Sequence, residues 1–166
     1  MKTSMCPLTA ILRAIVLAGS LFALLAVCPS PGIAGDSPGP SGGAYLGNLS
    51  ANPYSSNSTG NPFGAGNPYK PNGLLNPYGP YGNPYSAKSW SNPYATEAPR
   101  LFNGQGEYRG TLSVNPYASD STSNPYGRYG NPYSPDSINN RYGAGNPYRA
   151  DSPTNPYGSG WSVFGR

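Results

Sequence analysis

The chain has 166 residues, a formal net charge of +4 and no histidine, with 21 prolines, 23 glycines and 15 tyrosines. Beyond residue 34 only 12 positions are Leu, Ile, Val or Phe, about 9% of that stretch, well under the roughly 20% at which a conventional core becomes doubtful. Burial worth ~25 cal/mol per Å² from so few aliphatics does not offset a backbone ordering cost of ~1–2 kcal/mol per residue, which excludes a large globular core.

In chain order, residues 1–34 read as a signal peptide. Lys2 and Arg13 lie in or border a basic start, Ala14 to Val27 is an uncharged, mostly apolar run, and Gly32-Ile33-Ala34 supplies a small-x-small cleavage pattern ending at Ala34. A run of that length is short for a membrane span. Leu25-Ala26-Val27-Cys28 resembles a lipobox with Cys28 as the acylated residue. Val27 stands where Gly, Ala or Ser is usual, so Cys28 is read as part of the discarded segment, and a lipid anchor is the alternative address. Cleavage removes both cysteines, Cys6 and Cys28, so no disulfide staples the remainder. It also lowers the net charge to +2, since Lys2 and Arg13 leave with the segment. The eight remaining cations are dispersed and form no nucleic-acid patch.

Residues 35–44 form a Gly/Pro/Ser linker. The first repeat module, 45–98, carries Asn-Pro-aromatic tripeptides starting at Asn52, Asn61, Asn67, Asn76, Asn83 and Asn92. The second, 113–160, carries them at Asn115, Asn124, Asn131, Asn140, Asn146 and Asn155, offset by 63 or 64 residues, with Arg141 in place of one proline. An internal duplication follows. Within each module the separations alternate between 9 and 6 or 7, so the unit is two inequivalent turns. Proline fixes φ near −65° and drives the preceding Asn out of the helical region, and Asn at i with Gly at i+3 favours a type I turn. Asn76-Pro77-Tyr78-Gly79 and Asn124-Pro125-Tyr126-Gly127 are therefore predicted turns.

Between the modules, residues 99–112 predict a β-hairpin around Asn103-Gly104, and the C-terminal stretch 161–166 predicts a strand, Trp161 to Phe164, that pairs with it. The predicted fold class is mostly irregular and turn-rich, partly disordered, with that hairpin and strand and no conventional globular core.

Leu101-Phe102 through Gly110, followed by Asn124-Pro125-Tyr126-Gly127-Arg128-Tyr129-Gly130, Ser134-Pro135-Asp136-Ser137-Ile138-Asn139-Asn140 and Gly143-Ala144-Gly145-Asn146-Pro147-Tyr148, resembles a repeat of exported bacterial proteins to which no activity is assigned. The resemblance spans about Tyr45 to Gly160, with Arg141 and Lys88 as departures. It implies bacterial export and adds no site.

Catalysis has little to work with: no His, no Cys after residue 34, and no Ser with an identifiable base. The chain is read as non-enzymatic, with no cofactor. Glu97 and Glu107 read as solvated charges. Asp120, Asp136 and Asp151 recur at one repeat position and suggest a carboxylate row for Ca²⁺, but the first module has Asn57, Asn72 and Lys88 there, which argues against a metal. The tyrosines are the remaining resource. They are expected to pack on neighbouring proline rings and hold turns; as an interaction surface, Tyr117, Tyr126, Tyr129, Tyr133, Tyr148 and Tyr157 are the candidates. The function expected is a structural or interaction role in the cell envelope, with envelope components or self-association as partners and no nucleic acid. The alternative is a Tyr-based module for cell-wall polysaccharide.

Overall fold

The structure, a computed structural model, describes residues 43–166, so the expected signal peptide, with Cys28 and Ala34, lies outside the described residues. Four strands and no helix occur among them: β1 (Ala44–Leu49), β2 (Arg100–Phe102), β3 (Tyr108–Thr111) and β4 (Trp161–Gly165). All pair antiparallel, in the order β1-β4-β2-β3. The hairpin β2–β3 and the terminal strand are where the sequence puts them, and β4 does pair with the hairpin, through β2. β1 is new; it begins at Ala44, at the end of the expected linker.

The hairpin turn differs from a two-residue Asn-Gly turn. Gly106, not Gly104, takes the positive φ of 80°, and Gly106 N–H donates to the Asn103 carbonyl. Asn103 Oδ1 also accepts from the N–H groups of Gln105 and Glu107, which closes a longer loop.

The sheet has an approximate two-fold axis. Tyr45↔Phe164 and Asn48↔Ser162 in the β1–β4 pair match Tyr108↔Phe102 and Thr111↔Arg100 in the β3–β2 pair. Between β2 and β4, Arg100↔Phe164 and Phe102↔Ser162 flank Leu101↔Val163, through which the axis passes. Other contacts obey the same relation. Asn48 and Thr111 each form a parallel bridge on the outer side of their strand, to Ser58 and Ser121, so both sheet edges are occupied there. Ala51 N–H donates to the Pro153 carbonyl, and Val114 N–H donates to the Trp90 carbonyl. Each half therefore holds the first corner of the other.

Strand alternation sorts the side chains onto two faces. Leu101 and Val163 join Leu46, Leu74, Tyr81, Ala144 and Trp161 in a small buried cluster. The opposite face carries an aromatic row: Tyr45–Phe164, Phe164–Phe102 and Phe102–Tyr108 have centroids 5.5, 5.8 and 5.7 Å apart. Gly47 (φ 118°) and Gly110 (φ 95°) are equivalent positions in β1 and β3. A Cβ at Gly47 would run into the Ala65 methyl, and one at Gly110 would lie 2.7 Å from the Tyr129 ring. Both sites need glycine for backbone angle and for space.

Outside the sheet the chain is a string of hydrogen-bonded turns that share corner residues. Asn61 N–H donates to Ser58 O, Gly64 to Asn61, Asn67 to Gly64, Lys70 to Asn67, Gly73 to Lys70, Asn76 to Gly73 and Gly79 to Asn76. The second half repeats the pattern from Ser121 to Gly158. In this way a proline-rich chain satisfies much of its backbone without helix or long strand.

Candidate functional site

Each tripeptide corner is built by its asparagine. In all twelve, Asn Oδ1 accepts a hydrogen bond of 2.8–2.9 Å from the backbone N–H of the aromatic two residues on. Such a side-chain bond mimics a backbone turn. The Asn140 corner forms equally with Arg141 in the proline position. Asparagine is therefore the residue that makes the corner, and proline assists.

The two turns of the unit differ in what the amide nitrogen does. In Asn61, Asn76, Asn92, Asn124, Asn140 and Asn155, Nδ2 donates to the carbonyl six residues back, at 2.8–3.1 Å. In the other six the nitrogen lacks that bond: Asn52 reaches Gly158 O at 3.4 Å, and Asn67, Asn83, Asn115, Asn131 and Asn146 leave it without a partner among the described residues.

Six residues after each of these six asparagines comes a buried small residue: Ser58, Gly73, Ser89, Ser121, Ser137 and Ser152. The five serines have no exposed surface. Ser58 and Ser121 donate to Ser50 O and Ser113 O, both at 2.9 Å, and all five hydroxyls accept from the N–H two residues on.

With the corner held by Asn and the interior by Ser, the aromatic rings have no packing duty. The eleven corner tyrosines and Phe63 are 83–96% exposed. This corrects the expectation that they pack on proline rings: the ring sits on the outside of a corner whose backbone turns away from it. Of the six candidate tyrosines, Tyr117, Tyr126, Tyr133, Tyr148 and Tyr157 are on this surface. Tyr129 is not; it is buried at 9% exposure, edge-on to Tyr108 at 5.6 Å and under Arg128. The surface also includes Tyr54, Phe63, Tyr69, Tyr78, Tyr85, Tyr94 and Tyr142, which the candidate set omitted. Their shared place in the repeat was the signal that would have found them.

The spacers that follow Asn61, Asn76, Asn124 and Asn140 point one residue inward each: Ala65, Tyr81, Tyr129 and Ala144, all buried. Spacers with alanine read Gly-Ala-Gly, and those with tyrosine are one residue longer. At each Gly-Ala-Gly spacer an open cleft lies between consecutive corners. One, of about 450 Å³, is lined by Phe63, Asn67, Tyr69 and Lys70, and the other, of about 320 Å³, by Tyr142, Asn146, Tyr148 and Arg141.

The acidic residues are dispersed among arginines and lysine. Asp136 bonds Arg109 Nη1 and Arg128 Nε, both at 2.6 Å, Asp151 pairs with Arg149, Glu107 with Arg109, and Glu97 with Lys88 at 3.7 Å. The hydrogen bond from Arg128 holds the Asp136 carboxyl below the usual range, against the opposing effect of burial, with the charges of Arg128 and Arg109 adding to it. Asp120, Asp136 and Asp151 do not gather, and no group of three metal-ligating side chains occurs among the described residues. A third cleft, of about 400 Å³, is lined by Arg100, Phe102, Tyr108, Asp120 and Arg166 beside the aromatic row. Burial, more than any neighbour, pushes the Tyr108 phenol up.

No protein family, curated protein or solved structure matches the chain.

Proposed function

We propose that this protein is a non-enzymatic, exported structural or interaction element of a cell envelope that works by presenting aromatic rings from rigid corners. One observation carries the reading. Twelve corners bear an aromatic residue at the position after proline or Arg141, and none of those rings makes a ring–ring contact among the described residues. The third position of such a turn accepts most residues, and an exposed ring contributes little to stability. Twelve aromatics at positions with no internal demand support an external one. Phe63 at one corner supports the ring face, more than the phenol hydroxyl, as the contact. Export rests on residues 1–34, with a lipid anchor at Cys28 as the alternative address.

The second reading, a module for cell-wall polysaccharide, is favoured by the two ring-lined clefts. Fractionation tests the first reading: the protein is expected in the envelope or medium without residues 1–34, and replacing the corner tyrosines by serine should release it from envelope partners while its melting is preserved. Recovery from the cytoplasm with residues 1–34 intact would overturn it.

A further inference from the structure

The two clefts recur at different places in the two halves, one after Asn61 and one after Asn140, yet they share a composition. Each has an aromatic from the first corner, an aromatic and an asparagine from the next, and a cation. The asparagine, Asn67 or Asn146, is of the class whose Nδ2 has no internal partner, so a free amide donor stands on the wall. The cation comes from unrelated repeat positions. Lys70 follows the second corner of one cleft and Arg141 replaces the proline of the first corner of the other.

The charge census singles these cations out. Lys88, Arg109, Arg128 and Arg149 are all ion-paired, whereas Lys70 and Arg141 have no carboxylate partner among the described residues. Arg100 and Arg166 also lack an ion-pair partner among the described residues, but their cleft has an acid, Asp120, on its wall. Both ring clefts combine an unpaired cation with no acid on the wall. Their volumes lie in the range of small-ligand sites, about 300–1,000 Å³.

Deepening the ring-display reading, on which it rests, we infer that these two clefts each bind one acidic sugar unit of a polyanionic glycan. The apolar face of a pyranose stacks on the rings, a hydroxyl accepts from Asn67 or Asn146 Nδ2, and a uronate carboxylate meets Lys70 or Arg141. Single-stranded nucleic acid also offers a flat face and an anion, but it requires a continuous basic track. One cation per cleft on a chain of +2 after residue 34 does not provide one.

The test is calorimetric titration of the purified exported protein with an oligogalacturonate, a neutral gluco-oligosaccharide of matched length and oligo-dT, at low and at physiological salt. The oligogalacturonate should bind best, and Tyr69→Ala with Tyr148→Ala should weaken it about tenfold, in line with the loss of one stacked ring from each cleft. Lys70→Gln with Arg141→Gln should weaken it about five- to tenfold and abolish the preference over the neutral sugar, since each removes a charge-assisted contact. Tyr117→Ala with Tyr133→Ala, corners of the same class outside both ring clefts, should change it less than about twofold. Equal loss in that control pair would overturn the cleft assignment and leave ring display standing. Equal affinity for the neutral sugar, tighter binding of oligo-dT, or no binding of the oligogalacturonate would overturn the acidic-glycan assignment. Indifference to every ring removed would overturn both.

Discussion

The two halves reach the same backbone arrangement with different interiors. Ala65 sits against Gly47 in the first half, and Tyr129 sits against Gly110 in the second. At the next spacer the sizes are exchanged, with Tyr81 in the first half and Ala144 in the second. Each half thus places one tyrosine and one alanine inward, in opposite order, and the longer spacer goes with the larger side chain. The second half adds the Arg109–Asp136–Arg128 contact, where the first has Asn72 in place of the acid. The backbone pattern is set by Asn, Ser and Gly. The plugs and ion pairs are local solutions to filling it.

Breaking that equivalence at its glycines should have the largest effect. Gly47→Val forces a side chain into a left-handed backbone and against Ala65, and a loss of about 3–5 kcal/mol is expected in urea unfolding. Tyr129→Ala removes the plug that the first half lacks at that spacer. It should cost about 3 kcal/mol, whereas shortening the plug further, Ala65→Gly, should cost about 1 kcal/mol or less by the same assay.

Asp136→Asn should cost about 1–2 kcal/mol, with the lost amide protection confined to the second half. Wild-type stability should depend on pH through the same group. Its carboxyl is lowered in the folded state, so the contribution is present above the ordinary Asp value of about 4 and is lost as pH falls through the lowered one. An acid-unfolding profile that the Asn variant does not flatten would contradict this. Tyr117→Ala, at an exposed corner, should stay within about 0.5 kcal/mol of wild type.

Much of the local structure was legible. Asn-Pro with a following Gly specifies a turn, and Arg100 to Thr111 has the composition of a hairpin. β1 was not, because Gly47 and Asn48 are poor strand formers; the strand exists because β4 supplies a partner from far along the chain and Gly47 bulges. The sequence displays Asp120-Ser121, Asp136-Ser137 and Asp151-Ser152 as pairs, and attention goes to the acid. The residue the fold needs is the serine, a fact about burial that periodicity alone does not reveal. The tyrosines misled for a related reason. Abundant aromatics in a chain poor in aliphatics suggest glue, but the asparagine amides had already taken that task. The core is a handful of side chains at the sheet, gathered by residues as distant as Leu46 and Val163, a contact with no local signature.

The reciprocal bonds from Ala51 to Pro153 and from Val114 to Trp90 set a limit on how such a protein grows. In an open stack of repeats, a further copy finds a free end and the chain lengthens by increments. Here each module holds the first corner of the other, and a third copy would find no equivalent partner for its own first corner. The two modules are expected to melt together as a pair, with substitutions tolerated best at the exposed rings and the cleft walls.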